Sequence, residues 1–520
     1  MVGCERVAPV EIANREQILL KGNGPEPASL DPHIATGVPE HNIIVALLEG
    51  LVRPHPKTLE PLPGMAARYA VAADQKTYTF YLREDAYWSN GDPVTAHDFV
   101  FAYNRILLPE FGAKYASLLY YMVNAEAFHS GQIKDFSAVG VKALDDKTLE
   151  IQLNAPTPFF LSLIMHYTWF PVHPPTILKY GTMGKRGTRW TRPGNFVGNG
   201  PFNLKSWKVK DVVEVEKSPT YYAAQSVLLK GIRFYAVANV NTEERMFRAG
   251  QLHMTHALPT NKFPIYQQQQ SPYLRVYPAL GTYYYVFNTQ RPPLQDPRVR
   301  RALSLAIDRG SIIDNVLKGN RIAAYCFTPP GTGGYTCETA IIENIQLAQK
   351  LMAAAGYPEG QGFPAIELLY NSSDDHRILA EAIQGMWKEY LNIDITLKNQ
   401  DWKVYLVTRE NRDFDIARAG WIGDYNDPTT FLELFTSQSG NNVSGWHNRE
   451  YDKLMAAVAQ EGSRDKRNAL FQQAEALLLQ ESPLIPVYFY NNTYLVDPAV
   501  KGWYGNILDW HPYRFVYLEE

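Results

Sequence analysis

Cysteine is scarce in this chain, three among 520 residues, which excludes a small scaffold built from disulfides and leaves the fold to a hydrophobic core. An excess of one charge is missing too: 50 Lys and Arg stand against 53 Asp and Glu. With no long basic run, nucleic acid is excluded as the main partner. No apolar run approaches the length that crosses a bilayer. Gly-x-Ser-x-Gly, His-Glu-x-x-His and phosphate-loop patterns are absent, which argues against a hydrolase. The one close histidine pair is His253-Met254-Thr255-His256. On a strand its imidazoles face opposite sides, poor geometry for one ion, so neither metal nor cofactor is expected. No Ser/Gly linker and no short internal repeat marks a domain boundary, and the single low-complexity stretch, residues 267–270, reads as four glutamines on a helix surface.

At this length the chain exceeds what one growing core accommodates, so two or three lobes are expected. Aromatic residues are abundant, with 33 Tyr and 10 Trp; they fill cores, and they also line pockets that accept varied side chains. Tyr78, Phe80 and Leu82 alternate with polar neighbours and predict a half-buried strand over 76–83. Asn90-Gly91-Asp92-Pro93 then reads as a turn, and Thr95 with Asp98 as the capped start of a helix. Helical periodicity covers 340–355, 379–391 and 463–480, while 366–370 and 393–398 read as strands flanking the second of these. Strand, helix, strand in that order implies an α/β fold with a partly parallel sheet.

The most informative stretch is Gly420-Trp421-Ile422-Gly423-Asp424-Tyr425-Asn426-Asp427-Pro428. Small, extended residues end there in an acid among aromatics. A buried, unpaired carboxylate takes up a proton or destabilises the fold, so Asp424 calls for a cation, either Arg418 or an incoming ammonium group. The other reading makes Asp424 the cap of the turn before Pro428.

Motifs along nearly the whole chain resemble those of the periplasmic oligopeptide-binding proteins of ABC importers, in the peptide and nickel branch of extracellular solute-binding proteins, family 5. The most specific is residues 78–100, YTFYLREDAYWSNGDPVTAHDFV. Others are Ser29-Leu30-Asp31-Pro32-His33, Gly37-Val38-Pro39-Glu40-His41-Asn42, Asn199-Gly200-Pro201-Phe202, Tyr283-Tyr284-Tyr285, Asp296-Pro297-Arg298-Val299-Arg300 and Leu369-Tyr370-Asn371-Ser372-Ser373-Asp374. The resemblance implies a type II-like periplasmic binding protein, α/β, bilobal with an extra inserted domain, enclosing its ligand between lobes. The implied divisions are a tail over 1–18, lobe I from 19–52, 174–280 and 489–520, lobe II over 53–173, and lobe III over 281–488. The implied function is not enzymatic: capture of short, extended oligopeptides outside the cytoplasm and delivery to a membrane ABC permease by a monomeric receptor. A dedicated receptor for a dipeptide, murein peptide or signalling peptide uses the same fold, and a nickel or metal-chelate binder belongs to the same branch.

A receptor indifferent to side chains must hold the ammonium, the carboxylate and the amide ladder common to all peptides. The resemblance gives the ammonium to Asp424 through a charge-assisted hydrogen bond. Extended backbone around Gly420 and Ile422, and over 38–41 including Val38 and His41, would pair with the ligand as added strands. Arg418 and His376, with Arg409 close by, would meet the carboxylate. Glu40, His166, Trp402 and Trp421 match side-chain pockets, Tyr115 matches a backbone contact, and Tyr284 lies in the aromatic motif; Glu40 also reads as a helix-start acid and His166 as a core histidine. Where relatives carry an acid after the aromatic triplet this chain has Val286, which implies a ligand preference shifted away from basic peptides.

Cys326 and Cys337 bracket a Pro- and Gly-rich segment and read as a loop staple in an oxidising compartment, contributing roughly 2 to 3 kcal/mol by chain entropy; two reduced thiols are the alternative. In enteric relatives the paired cysteines would fall at Gly281 and Ile422. Gly3-Cys4 resembles the end of a lipobox, which would make Cys4 an acylation site and anchor the protein on the extracytoplasmic face of the membrane.

Overall fold

The computed structural model describes residues 7–319 and 321–520, apart from the side chains of Asp374, Trp402 and Lys403. Cys4 and the Trp402 side chain therefore lie outside the described residues. The chain forms two compact units, one of Met1–Val276 with Asn492–Glu520 and one of Tyr277–Asn491. Residues 53–173 belong to the first, together with the segments assigned to lobe I apart from 277–280 and 489–491, which lie in the second. No helix among the described residues is long and apolar enough to cross a membrane.

The first unit contains two separate four-stranded sheets. In one, Ile18–Gly22 runs parallel to Gly231–Tyr235, followed by the antiparallel strands Val212–Lys217 and Phe202–Lys208. The other is an antiparallel sheet of Ala66–Val71, Thr77–Leu82, Thr148–Gln152 and Val141–Asp145. Phe80 and Leu82 are buried in it, as their alternation predicts. The expected capped helix is Ala96–Leu107: Thr95 and Asp98 form a reciprocal capping box, and Asp98 also accepts from the Trp88 indole at 3.0 Å. Asp31 of the first unit is joined to buried Arg105 at 2.6 Å.

The second unit is built on a six-stranded mixed sheet in the order Ile322–Ala323, Leu484–Leu495, Leu274–Phe287, Ile416–Ile422, Ile366–Asn371, Ile395–Gln400. Helix Asp374–Leu391 links the parallel pair Ile366–Asn371 and Ile395–Gln400, giving the strand-helix-strand unit expected from periodicity. Trp387 is fully buried in the core of this unit, with its indole donating to the Leu303 carbonyl at 2.8 Å. Helix Arg464–Glu481 stops at Ser482, in the left-handed region just before Pro483. The helix expected over 340–355 is shorter, Ile345–Ala354, because the Asn344 side chain accepts from Leu347 N and sets the start there.

Candidate functional site

In the second unit, strand Ile416–Ile422 carries most of the predicted residues. It pairs antiparallel with Leu274–Phe287 from Ile416↔Phe287 to Ile422↔Gly281. Its parallel partner Ile366–Asn371 reaches only to Ala417. The carbonyl of Arg418 accepts from the Tyr405 hydroxyl, on the edge away from Leu274–Phe287. Since alternate residues of a strand direct their backbone groups to the same edge, Gly420 and Ile422 present N–H and C=O on that edge beyond the end of the parallel partner. Ile422 is well exposed, at 59%. Gly420 is a glycine because a Cβ would stand 2.6 Å from the Tyr490 hydroxyl.

After Ile422 the chain turns. Gly423 N donates to Leu280 O at 2.8 Å, and Asp424 N to Thr430 Oγ1 at 3.2 Å, with the Trp421 indole 3.5 Å from the same hydroxyl. Capping of the turn falls to Asp427 rather than Asp424. Asp427 accepts from Thr429 N and Oγ1 and holds Arg467 in a buried bidentate pair at 2.9 and 3.1 Å. The Asp424 carboxylate, in contrast, has neither a hydrogen-bond donor nor a cation from the described residues, and burial alone pushes its pKa up to about 6.

Arg418, the internal partner considered for Asp424, points elsewhere. Its Nη2 donates to the Tyr490 hydroxyl at 3.1 Å, its Nη1 lies 3.5 Å from Asn371 Oδ1, and the guanidinium stacks 4.7 Å from the Tyr283 ring. His376 sits 3.4 Å from the Tyr283 hydroxyl, and burial together with the Arg418 charge holds it neutral, with a pKa of about 4. Arg409 lies 5.7 Å from the Tyr405 ring, its Nε buried without a partner. Among the described residues, a guanidinium, a neutral imidazole and hydroxyls thus gather without a carboxylate, an arrangement able to accept an anion. Tyr283 is the member of the aromatic triplet that joins this group; Tyr284 packs edge-on against Phe327. Val286 is buried opposite Ala417. Trp402 begins helix Trp402–Glu410.

In the first unit, Tyr115 packs edge-on to His166 at 5.3 Å, and His41 stacks on Trp510 at 5.4 Å. Both imidazoles are neutral near pH 7: burial lowers His41 to about 4 and His166 to about 3. His166 also caps the short turn Tyr167–Trp169 through Thr168. A pocket opens beside His41, lined by Val45, Met165, Phe170 and Trp510 and also by the charged side chains of Glu49, Arg53 and Arg514. Glu40 is buried in the first turn of its helix and accepts from Ala28 N, in a loop outside that helix. The extended backbone expected over 38–41 is not there. Val38 and His41 lie in helix Val38–Leu47, started by Pro39 in its first turn, and only Gly37 before it is extended.

His253 and His256 are used separately, the first between Leu20 N and Asn14, the second against Gly24. Cys326 and Cys337 are unbonded in this structure, so the staple expected between them is not formed here. Gly281 and Ile422, where enteric relatives would carry their bridge, are direct cross-strand partners, and Ile422 fills the space a Cβ on Gly281 would need. Sequence reasoning missed Tyr490 and Trp510. Tyr490 shares period-two spacing with Tyr488 in its strand, the one local signal that both rings face one way.

Residues 60–443 match the profile of bacterial extracellular solute-binding proteins, family 5 middle domain. The chain is 38% identical over 511 residues to the periplasmic oligopeptide-binding protein OppA of Salmonella typhimurium, covering 96% of this chain and 91% of that one. Among solved structures, the Escherichia coli murein tripeptide binding protein MppA superposes with a TM-score of 0.82 at 36% identity, covering 97% and 98% of the two chains. Haemophilus influenzae OppA in complex with the peptide RPPGFSPFR gives 0.79 at 35% identity, covering 97% and 99%. The chain belongs to the family 5 bacterial extracellular solute-binding proteins.

Proposed function

We propose that this protein is an extracytoplasmic receptor that captures a short peptide in extended form and passes it to an ABC permease, catalysing no reaction itself. The observation that carries this reading is the half-buried Asp424 carboxylate, which has no cation of its own beside an open strand edge. A peptide ammonium supplies the missing charge, and the ligand backbone adds to Gly420 and Ile422. Arg418, with His376 and Arg409 near it, takes the carboxylate. From Arg418 to Ile422 the strand covers ~13 Å, which suits an extended ligand of roughly three to five residues. The names of the relatives, which bind oligopeptides and a murein tripeptide, support the same class. Trp421 is assigned to a side-chain contact of the same ligand.

Titration with a defined tripeptide tests the anchor. Removing one partner of a buried ion pair costs about 3 to 5 kcal/mol, so Asp424→Ala should weaken binding about a hundred-fold or more. Acetylating the peptide's amino end should weaken it as much, and the two changes together no further. Unchanged affinity in Asp424→Ala would make the acid structural. Mass spectrometry of ligands released by denaturation separates a broad receptor, which yields many short peptides, from a dedicated one, which yields a single species. Membrane attachment through an acylated Cys4 completes the proposal; incorporation of a labelled fatty acid that disappears in Cys4→Ala is its test.

A further inference from the structure

Cys326 and Cys337 enclose a loop that reaches the ammonium anchor. Their Sγ atoms lie within 4.8 Å of each other and of a Glu475 carboxylate oxygen. Glu475 is fully buried and holds the loop from beneath, accepting from Phe327 N at 2.8 Å, Thr328 N at 2.7 Å and the Tyr335 hydroxyl at 2.9 Å. At the loop tip, Gly333 N donates to Asn426 Oδ1 at 2.8 Å. Gly333 has φ +56°, and a Cβ there would stand 3.1 Å from Asn426 O and 3.4 Å from Asp427 Cα. The tip is thus fitted to the turn that presents Asp424.

We propose that Cys326 and Cys337 are joined as a disulfide in the extracytoplasmic protein, and that this cross-link holds the loop tip against Asn426 and so fixes the turn carrying Asp424. The inference rests on the reading of Asp424 as the peptide anchor. Cys337, the less buried of the two, attacks the disulfide of an oxidant, a protein or low-molecular-weight disulfide, and releases one thiol. Cys326 then displaces Cys337's mixed-disulfide partner as the second thiol. Two protons and two electrons leave the pair and reappear on the oxidant's two thiols. A metal fits less well. Both Glu475 oxygens are already engaged by donors, and the described residues bring no fourth ligand to the two sulfurs.

The test uses full-length protein recovered from an oxidising compartment without reductant, alkylated in denaturant before and after reduction, with the Cys326 and Cys337 peptides mapped by mass. Both should resist alkylation until reduced. Reduction should lower Tm by roughly 5 °C and weaken an unblocked tripeptide by roughly three- to thirty-fold. Asn426→Ala, with both cysteines intact, should reproduce the weakening and remove its redox dependence. Alkylation of both cysteines without reduction, or one equivalent of zinc released by a chelator, overturns the cross-link. If Asp424→Ala abolishes binding while oxidised and reduced protein bind equally, the coupling is wrong; if Asp424→Ala is silent, the anchor reading itself falls and the coupling with it.

Discussion

Asp424 and Asp427 show how two acids in one motif divide two roles. Asp427 has a buried arginine and a hydroxyl-rich cap, so its charge is satisfied within the fold. Asp424 has burial without compensation among the described residues, and its pKa of about 6 would make a proton and the proposed ligand ammonium competitors for the same oxygens. Affinity for an unblocked peptide should therefore be full above pH 7 and fall about tenfold per pH unit below 6, whereas an amino-blocked peptide should show no such slope; isothermal titration across pH 4.5–8 checks both. Stability runs the other way. The folded pKa lies above the unfolded value of 3.8, so the ligand-free native state binds more protons, and this group's contribution is lost as pH rises from about 4 to 6. Asp424→Asn should accordingly raise the Tm of the ligand-free protein at pH 7 and leave it unchanged at pH 4. That Asp424 is an acid set among apolar and aromatic residues was legible in the motif. That Arg418 is turned toward Tyr490 and Tyr283 was not, because both partners come from strands distant in sequence.

Strand Ile416–Ile422 leaves an open edge by outrunning one neighbour: it stays paired with Leu274–Phe287 after Ile366–Asn371 has ended its register at Ala417. The close approach of Tyr490 over Gly420 is part of that design. Gly420→Ala should destabilise the protein by about 1–3 kcal/mol through overpacking against the hydroxyl, and adding Tyr490→Phe should recover most of the loss; paired urea denaturation curves measure both. Periodicity located Thr77–Leu82, Asp374–Leu391 and the parallel strand pair because each buries one face in its own unit. It failed at 340–344, where the Asn344 cap outranks helical spacing, while the extended backbone that the resemblance implied over 38–41 is instead the first turn of a helix with Pro39 near its start. Trp510 was invisible for another reason: its stacking on His41 joins segments at opposite ends of the sequence.

At the scale of the whole molecule, composition offered no boundary because the chain passes between units inside regular strands, Leu274–Phe287 and Leu484–Leu495, and not through linkers. The units differ in how they are closed. Tyr277–Asn491 is one continuous segment with its own sheet and its own core around Tyr283, Trp387 and Ile485. The other unit is completed by the last residues of the chain. Leu495, Tyr513 and Leu518 are buried in it, the Leu518 carbonyl accepts from the Gln17 side chain at 2.7 Å, and Leu495 exchanges hydrogen bonds with Thr255 at 3.0 Å. A fragment of residues 277–491 should therefore fold alone and unfold in a single cooperative transition, since its core lies within that span. A fragment of residues 1–276 should lack one until residues 492–520 are supplied as a separate peptide, because without them a set of buried apolar positions has no partner. Thermal melts of each fragment, with and without the added peptide, decide the matter. A cooperative melt of 1–276 alone would place the closing contacts elsewhere, while rescue by the peptide would show that the chain's two ends fold as one body.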